Sequence, residues 1–320
     1  MKIKTITQTF AADVYQGLKS NPKSLMSKYF YDDEGSRIFQ KIMRMPEYYP
    51  TDCEYEIFDT KADAILKKIV PYNEPFDLIE LGAGDGMKTK LLLTHFLEQK
   101  ADVNYMPVDI SEEAMNLLTN DFKSAMPDLN ITPFVGDFYD ALSKIQHVDK
   151  RKKVYMFLGS TIGNFPHHKA VSFFRKLNKY MSSGDMFLVG FDLKKSPEIV
   201  LPAYDDPHGH TAAFNLNLLT RMNRELGADF NLGKFFHYAA YDPITGSAKS
   251  YLISKESQKV YFEEFGEPVL FAKWEPIFME ISQKYDMQMI KRFAGDTNFT
   301  IMDNFYDSRN YFVNSLWEAK

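Results

Sequence analysis

The chain has 320 residues, of which 45% are hydrophobic, and its formal net charge is −5. This length and apolar content suit one large domain or two unequal ones, and the acidic balance argues against nucleic acid as the main partner. Cys53 is the only cysteine, which excludes a disulfide framework and a cysteine metal cluster.

The N-terminal part of the chain predicts short elements and one rigid turn. Residues 1–20 predict an edge strand and a helix, residues 29–36 a loop, and residues 37–43 a second helix. Two tyrosines between two prolines then form a turn at residues 46–50, and a helix over residues 52–69 follows. This turn either lines a pocket with its hydroxyl groups or only packs its aromatic rings against the surface beneath.

Membrane insertion is not indicated by the sequence. The first ten residues lack the apolar core of a signal peptide, and no run approaches the roughly 18 apolar residues of a membrane span. We therefore expect a soluble cytoplasmic protein that has no membrane partner.

A glycine turn follows the first strong strand. Phe76–Leu81 has the apolar pattern of a strand, Gly82, Gly84 and Gly86 follow at every second position, and Lys88–Phe96 has helical spacing. Glycine permits a positive φ and the close approach of a ligand. A turn of this kind at a helix N-terminus suits a nucleotide or nucleoside cofactor.

The spacing of the glycines discriminates between cofactors. A dinucleotide turn requires G-x-G-x-x-G, and its third glycine would fall on Met87. The pattern is instead E-x-G-x-G-x-G, beginning at Glu80. It favours S-adenosylmethionine, because this cofactor has no pyrophosphate and the loop need only pass close to its sulfonium and amino-acid tail. Taken alone, the motif is also compatible with a plain connection.

Two acids end the next two predicted strands. The strand that begins at Val103 ends in Asp109, which can accept hydrogen bonds from both ribose hydroxyls. The strand that begins at Ile131 ends in Asp137, which can accept from the adenine amino group, and Phe138 can lie on the ring face. Either acid alone is better explained as a helix N-cap. The three strand ends together favour S-adenosylmethionine.

Residues 52–195 alternate between helix and strand, which is typical of a parallel α/β sheet. Val154–Leu158 is the fourth predicted strand, and the loop Gly159–Phe165 follows it. In such a sheet this loop faces the methyl-donor site. Small residues there leave room for a substrate, and Asn164 offers hydrogen-bond donors and an acceptor. A simple turn role for Asn164 is an equally good interpretation. Met186–Asp192 is the fifth predicted strand.

The alternation breaks at residues 197–248, which predict an insertion containing a helix over Thr211–Leu226. Together with residues 1–51, this insertion predicts a lid. His208 and His210 have no third residue at matching spacing, so we interpret them as loop histidines and expect no metal site.

The C-terminal part predicts a hairpin, a helix and an antiparallel sheet edge. These elements are a hairpin of Ser250–Ser254 with Lys259–Phe262, a helix over Lys273–Tyr285, and two final strands, Gln288–Phe293 and Tyr311–Trp317.

The chain resembles the histidine Nα-methyltransferases of ergothioneine biosynthesis, within the broader S-adenosylmethionine-dependent group. The matching blocks extend in one order over most of the chain: Tyr29-Phe-Tyr-Asp32 with Gly35-Ser36, Pro46-Glu-Tyr-Tyr-Pro-Thr51, Glu80-Leu-Gly-Ala-Gly84, Phe157-Leu-Gly-Ser-Thr-Ile-Gly-Asn164, Ala203-Tyr-Asp-Asp206, Thr211-Ala-Ala-Phe-Asn215 and Asn223-Arg-Glu-Leu-Gly-Ala-Asp-Phe230. So many ordered blocks make a chance match untenable.

The resemblance implies a Rossmann-like class I methyltransferase sheet over residues 52–195 and 273–320. It also implies a second, smaller substrate-binding domain over residues 1–51 and 196–272, which closes over an amino acid. The implied reaction methylates the α-amine of that amino acid, with S-adenosylmethionine as donor, and we expect a monomeric enzyme.

The resemblance also assigns residues to the two ligands. The residues that match cofactor positions are Gly82, Lys88, Asp109, Asp137 and Phe138. To these we add Gly84, the central glycine of the motif. Those that match substrate positions are Tyr31, Phe39, Tyr48, Gly159, Asn164 and Tyr204. Asn164 and Tyr204 fall where the family holds the α-carboxylate and orients the amine, and no strong general base is evident.

One part of the family pattern is missing from the expected alignment. Family members that take histidine grip the imidazole with an acid and a serine two residues apart, and those positions align with Ala272 and Trp274. A methionine of the ring pocket aligns with Ser250. A shifted loop would let Glu267 or Glu275 supply the acid. Otherwise an unpaired buried polar group costs about 1–3 kcal/mol and shifts the preference to another side chain.

Two alternatives to a histidine methyltransferase therefore stay open. The first is N-methylation of another amino acid or small amine, such as tryptophan. The second is a cofactor-binding protein without turnover, against which the intact cofactor and substrate loops weigh. A dehydrogenase is a distant third, because Met87 breaks its fingerprint.

Overall fold

The structure is a computed structural model that describes residues 6–145 and 151–320. The helices of these residues are α1 (Ile6–Lys19), α2 (Asp33–Met43), α3 (Tyr49–Ile69), α4 (Met87–Glu98), α5 (Glu112–Ala125), α6 (Phe138–Ile145), α7 (His167–Asn178), α8 (Pro197–Val200), α9 (His210–Leu226) and α10 (Met287–Asp296). Among them, no helix combines the length and the apolar character that crossing a membrane needs.

The strands of the described residues are β1 (Lys23–Ser24), β2 (Phe76–Leu81), β3 (Val103–Asp109), β4 (Asn130–Ile131), β5 (Phe134–Val135), β6 (Lys152–Phe157), β7 (Met186–Asp192), β8 (Phe235–Asp242), β9 (Ser247–Ser254), β10 (Gln258–Phe262), β11 (Glu267–Phe271), β12 (Pro276–Gln283), β13 (Phe299–Tyr306) and β14 (Phe312–Ala319). Short 3₁₀ helices lie at Ser27–Tyr29, Thr161–Asn164, Leu201–Ala203 and Leu232–Lys234.

The chain divides into two compact units. The first comprises Met1–Tyr49 and Lys195–Gln283, and the second comprises Pro50–Lys194 and Lys284–Lys320. The expected division at residue 273 lies too early, because β12 pairs with β9 and so belongs to the sheet of the first unit. The helix predicted over Lys273–Tyr285 is therefore wrong.

The second unit is built on one sheet with the strand order β13-β14-β7-β6-β2-β3-β4, and β5 also pairs with β3. Strands β2, β3, β6 and β7 run parallel, and β14 lies antiparallel between β7 and β13. This is the Rossmann-like sheet of class I methyltransferases, as predicted. The strand order reverses between β2 and β6, which is where such sheets bind ligands.

Apolar strands and helices on the faces of the sheet explain its stability. Every residue of β2 and β7 is buried, as expected for parallel strands covered on both faces. Trp317 on β14 is fully buried against Phe174, Phe187 and Phe191. Its indole N–H donates to Ser315 Oγ at 2.7 Å, so burial leaves that donor satisfied.

Three predictions in this unit need correction. Gln288–Phe293 is not a strand but part of α10, which Asp286 caps by accepting from two backbone N–H groups. Only part of the predicted strand over residues 131–137 forms, because pairing is interrupted between β4 and β5. The third concerns the basic run Lys150-Arg-Lys-Lys153, whose composition predicts a solvated loop. Lys152 and Lys153 begin β6, and Arg151 pairs with the buried Asp77, whereas Lys150 lies outside the described residues.

The first unit is built on a sheet of order β1-β12-β9-β8 and on a separate hairpin of β10 and β11. The predicted hairpin is therefore wrong in its pairing, since β9 pairs with β8 and β12 rather than with β10. Helix α9 contributes Phe214, Leu218 and Met222 to the core of this unit. Helix α2 begins four residues before the predicted Arg37, because Asp32 caps it. Of the N-terminal prediction, residues 6–19 are helix and residues 1–5 lie outside the described range.

Candidate active site

The glycine turn lies at the carboxyl end of β2, in the second unit. Gly82, Gly84 and Gly86 all have positive φ, at 77°, 56° and 66°, a conformation that costs other residues about 1–2 kcal/mol. A Cβ added at Gly86 would lie 2.9 Å from Leu118 and Phe122, whereas one added at Gly84 would meet nothing within 4 Å. Gly86 is thus required by packing, and Gly84 faces open space of the kind a ligand needs.

Asp109 is tied to this turn. Its Oδ2 accepts a hydrogen bond from the Gly84 backbone N–H at 3.1 Å, and its Oδ1 accepts from the Ser111 N–H at 3.0 Å. The N-cap alternative for Asp109 does not hold, because Ser111 caps α5 by accepting from the Ala114 N–H. The end of β3 therefore brings a carboxylate to the central glycine of the turn.

Asp137 shows the capping geometry that is the alternative interpretation of this acid. It precedes α6, and its Oδ1 accepts from the Tyr139 N–H at 2.9 Å, which is the capping geometry. Its side chain is exposed. The next residue, Phe138, packs against the turn, because a Cβ added at Gly82 would lie 3.6 Å from the Phe138 ring. The ends of β2, β3 and β5 thus meet at one edge of the sheet.

This edge fits S-adenosylmethionine chemically. Open space at Gly84 admits a ligand backbone, and the Asp109 carboxylate beside it supplies the acceptor that a ribose needs. The Phe138 ring offers an apolar face next to Gly82. The N-terminus of α4, which follows Gly86, favours an anionic group.

The loop after β6 is held rigidly at the same edge. Gly159 and Ser160 both adopt the left-handed conformation, with φ of 68° and 53°. For Ser160 this conformation is strained, and the residue is held because its Oγ accepts from the Asp192 N–H at 3.0 Å. Asn164 ends the 3₁₀ turn and is half-buried. The loop therefore presents Gly159 and Asn164 from a fixed backbone.

Lys88 lies in the first turn of α4 and forms an ion pair with Glu54 of α3. The Glu54 side chain is fully buried, and its Oε2 also accepts from the Gly159 N–H at 2.8 Å. A Cβ at Gly159 would approach Lys88 Nζ to 3.3 Å. Lys88, predicted to hold the cofactor, is therefore close to the loop that follows β6.

Glu80, the first residue of the motif, is a second buried acid. It is 4% exposed and accepts a hydrogen bond from the Tyr105 hydroxyl. Burial raises the pKa of Glu80 to about 7, while the Tyr105 hydrogen bond and the Lys88 charge act to lower it. The carboxyl group thus titrates near neutral pH rather than in the acidic range.

The first unit holds a separate group of predicted residues. Tyr31 lies edge-to-face against Phe39 and Phe214, with centroid distances of 5.4 and 5.5 Å, and Phe39 lies 6.2 Å from Tyr48. Tyr31 keeps 44% of its surface exposed. Desolvation, followed by the charge of Glu280, raises the pKa of Tyr31 above its ordinary value.

Strand β12 contributes an acid and a serine to this group. The Tyr204 hydroxyl donates to Ser282 Oγ at 2.8 Å. Glu280 stands two residues before Ser282 and is paired in register with Ser250 of β9. The structure therefore places Tyr204 and Ser250 close to an acid that the sequence did not predict for this site, and the charge of Glu280 contributes to the raised pKa of Tyr31.

The predicted placement of Ala272 and Trp274 in the substrate site does not fit the structure. Both are exposed, in the turn between β11 and β12, and 60% of Trp274 is accessible. The structure gives no support for their assignment to the acid and serine positions. Glu280 and Ser282 have the same spacing, and Ser282 Oγ accepts a hydrogen bond from the Tyr204 hydroxyl.

Glu267 and Glu275, the alternative acids, are engaged elsewhere. Glu267 accepts from Tyr15 and pairs with Lys19. Glu275 accepts from the Ala272 N–H and pairs with Lys23.

Other polar atoms near these residues were missed by sequence reasoning. His237 Nε2 lies 2.8 Å from the Tyr204 carbonyl oxygen, so this nitrogen carries the proton that the carbonyl accepts. Among the described atoms, His237 Nδ1 and Asn215 Oδ1 are buried without a hydrogen-bond partner. Such atoms are available to a bound polar molecule.

The sheet topology, the glycine turn and its acid define the class of protein: this chain is an S-adenosylmethionine-dependent methyltransferase. Residues 10–319 match the family described as histidine-specific, S-adenosylmethionine-dependent methyltransferases. The chain belongs to this family.

Named relatives agree with this assignment. The chain is 36% identical over 273 residues to the histidine N-alpha-methyltransferase of Mycolicibacterium smegmatis, covering 85% of this chain and 83% of that protein. It is 34% identical to the histidine N-alpha-methyltransferase of Mycobacterium tuberculosis, over 87% of this chain and 85% of that protein. It is also 27% identical to ergothioneine biosynthesis protein 1 of Schizosaccharomyces pombe, over 88% of this chain and 37% of that protein.

Proposed function

We propose that this methyltransferase transfers methyl groups to the α-amine of histidine, and that Glu280 and Ser282 recognise the imidazole ring. The observation that carries the proposal is the acid and serine two residues apart on β12, with the Tyr204 hydroxyl bonded to Ser282 Oγ at 2.8 Å. The spacing matches the pair that the resemblance requires. The names of the relatives support the same substrate.

The proposed recognition follows from ordinary hydrogen-bond chemistry. A neutral imidazole has one N–H donor and one acceptor nitrogen. A carboxylate such as Glu280 accepts from the N–H, and a hydroxyl such as Ser282 can donate to the other nitrogen. Since hydrogen bonds to a charged group are the stronger kind, Glu280 would contribute most of the discrimination against side chains without a donor.

The methyl donor itself supplies the electrophile when bound, so the protein mainly positions the reactants. In the second unit, the Gly84 turn, Asp109 and Lys88 would hold the cofactor, with Asp137 and Phe138 at its adenine end. In the first unit, the Tyr31 hydroxyl is protonated at neutral pH, as in an ordinary tyrosine, and its raised pKa moves it further from ionisation. Tyr31 is thus a hydrogen-bond donor to a bound molecule and not an anionic base.

Ser250 supports a second candidate function. It is 2% exposed and is paired with Glu280 on the neighbouring strand. The family pattern has a methionine at the position of Ser250. A shorter side chain at this position leaves more room beside the acid. N-methylation of a larger amino acid with a ring N–H, such as tryptophan, is therefore the competing substrate assignment.

A substrate panel with one matched pair of variants tests the proposal. Purified protein is incubated with labelled S-adenosylmethionine and each of histidine, tryptophan, phenylalanine and lysine. Glu280→Gln should lower kcat/KM for histidine by about tenfold to a hundredfold, because a charged hydrogen bond is worth about 1.5–3 kcal/mol. Glu275→Gln removes an acid from the start of the same segment and should leave the value within about twofold, since its carboxylate bonds Ala272 and Lys23.

The outcomes separate the candidates. Transfer to histidine that depends on Glu280 supports the proposal, whereas preferred transfer to tryptophan supports the second candidate. Transfer to no amino acid would defeat both. The sequence also leads us to propose that the protein is a monomer located in the cytoplasm. Size-exclusion chromatography tests the monomeric state, and cell fractionation tests the location.

A further inference from the structure

One buried acid joins three elements of the second unit. Glu54 of α3 is fully buried. Its Oε2 forms the ion pair with the Lys88 ammonium of α4 and also accepts a hydrogen bond from the Gly159 backbone N–H, at 2.8 Å. These partners lie on either side of the point where the strand order reverses, between β2 and β6. Glu54 therefore links the helix of the glycine turn to the loop after the fourth strand.

The packing around this acid is unfavourable for a residue that serves stability alone. Glu54 Oε1 is buried without a hydrogen-bond partner among the described atoms. Strand β7 makes room for it with Gly190, where an added Cβ would lie 2.6 Å from Oε1. Glycine within a strand weakens it and often marks such a close approach. A buried ion pair is also weak evidence for stability.

We propose that Glu54 is a positioning residue for cofactor binding, which fixes the Lys88 ammonium and the Gly159 backbone relative to each other. This inference rests on the proposed role of Lys88 in holding the cofactor. S-adenosylmethionine and its product carry one anionic group, the carboxylate of the amino-acid tail, and Lys88 lies in the helix turn where anions are favoured.

The chemistry of lysine explains why a second residue is needed. A lysine side chain is a long flexible stem with a compact charge, and much rotamer freedom is lost when it is held in one place. Glu54 holds the ammonium before any ligand arrives, so ligand binding does not have to order it. The same oxygen bonds Gly159, so a change in the position of Lys88 is coupled to the loop that carries Asn164.

A binding experiment isolates this role from activity. Calorimetry measures the affinity of S-adenosylhomocysteine, which has the amino-acid tail, and of 5′-methylthioadenosine, which lacks it. Glu54→Gln keeps a carbonyl oxygen for both partners, removes the negative charge and replaces Oε1 by an amide NH2 group. It should weaken S-adenosylhomocysteine by about tenfold and leave methylthioadenosine within about twofold. Lys88→Met should show the same selectivity.

A double-mutant cycle then tests whether Glu54 acts through Lys88. In the Lys88→Met background, Glu54→Gln should cause no further loss of affinity for S-adenosylhomocysteine. Glu56→Gln is the matched control, since Glu56 lies on the same helix but accepts from the Ser308 N–H at 2.8 Å. It should leave both affinities unchanged. Should Glu54→Gln fail to fold, Glu54→Asp keeps the charge with a shorter reach and should show the same selective loss.

Three results would overturn the inference. Equal weakening of both ligands by Glu54→Gln would mean that Glu54 only supports the fold. Independent, additive losses in the double variant would mean that it does not act through Lys88. Unchanged binding of S-adenosylhomocysteine to Lys88→Met would remove the assumed role of Lys88. The proposed substrate is tested separately, by the dependence of histidine methylation on Glu280.

Discussion

The buried acid of the glycine motif makes stability depend on pH near neutrality. Glu80 is 4% exposed, faces the Tyr105 hydroxyl, and lies close enough to Lys88 and Glu54 to be influenced by their charges. Burial raises the pKa of Glu80 from 4.5 to about 7. At pH values between these two pKa values, Glu80 is protonated in the folded protein but ionised in the unfolded chain. This group therefore makes the free energy of unfolding fall as pH rises from about 4.5 to about 7.

The size of the effect follows from the same two pKa values. Each pH unit between them corresponds to about 1.4 kcal/mol, so the full window amounts to about 3 kcal/mol of unfolding free energy. Glu80→Gln has no charge to lose, and its carbonyl can still accept from Tyr105. Relative to this variant, the wild type should lose about 3 kcal/mol of stability across the window and change little above it.

The fluorescence of a single tryptophan can report the unfolding of the structural unit that contains Glu80. Trp274 and Trp317 are the only tryptophans, and Trp317 is buried in the sheet that contains Glu80. In a Trp274→Phe background, urea unfolding followed at Trp317 gives the free energy at each pH for both proteins. Parallel curves for the two proteins would refute the reasoning, because all other titrating groups are common to them.

The glycine turn and its acid give two further predictions. Gly86→Ala should lower the free energy of unfolding by about 2–4 kcal/mol, because conformational strain adds to crowding against Leu118 and Phe122. Gly84→Ala should cost only about 1–2 kcal/mol, and equal losses in urea unfolding would contradict the difference in packing. Asp109→Asn should weaken S-adenosylhomocysteine by about tenfold in calorimetry, and unchanged affinity would exclude Asp109 from the cofactor site.

The parallel sheet could be predicted because its signals are local. Strands β2 and β7 are short apolar runs, and the glycine turn at Gly82 follows β2 directly. In a parallel sheet the ends of successive strands meet at one edge. The positions of Asp109 and Phe138 near the turn therefore followed from their places in the sequence alone.

The region after Ala272 could not be assigned in the same way. Strand β12 contains a register shift between Phe278 and Glu280, which breaks the alternation that marks a strand. Its partners, β1 and β9, lie far away in sequence. For α10, the signals were present but were not used: Asp286 is a helix cap, and Ile290, Phe293 and Ala294 have helical spacing.

The acid and serine that we propose for the substrate site were missed for the same reason. Their assignment depends on knowing where β12 lies, since only pairing with β9 brings Glu280 opposite Ser250. The residues Ala272 and Trp274 have the correct spacing in sequence but lie in an exposed turn. Spacing alone therefore identified the type of pair to look for, and the tertiary pairing of β12 with β9 is what leads us to propose Glu280 and Ser282.

Violations of ordinary folding rules gather at one edge of the second unit. Ser160 adopts a left-handed conformation, Glu54 buries an oxygen without a partner, and Glu80 buries a carboxyl group near the carboxyl end of β2. Each feature lowers stability, and each lies at the carboxyl ends of β2 or β6 or in contact with the loops there. Similar features occur elsewhere in the unit, as at Asn314 of β14, whose two side-chain polar atoms are buried without a partner. The three features named here differ in lying together beside the glycine turn, which supports placing the cofactor at that edge, because local rules are often broken where function requires it.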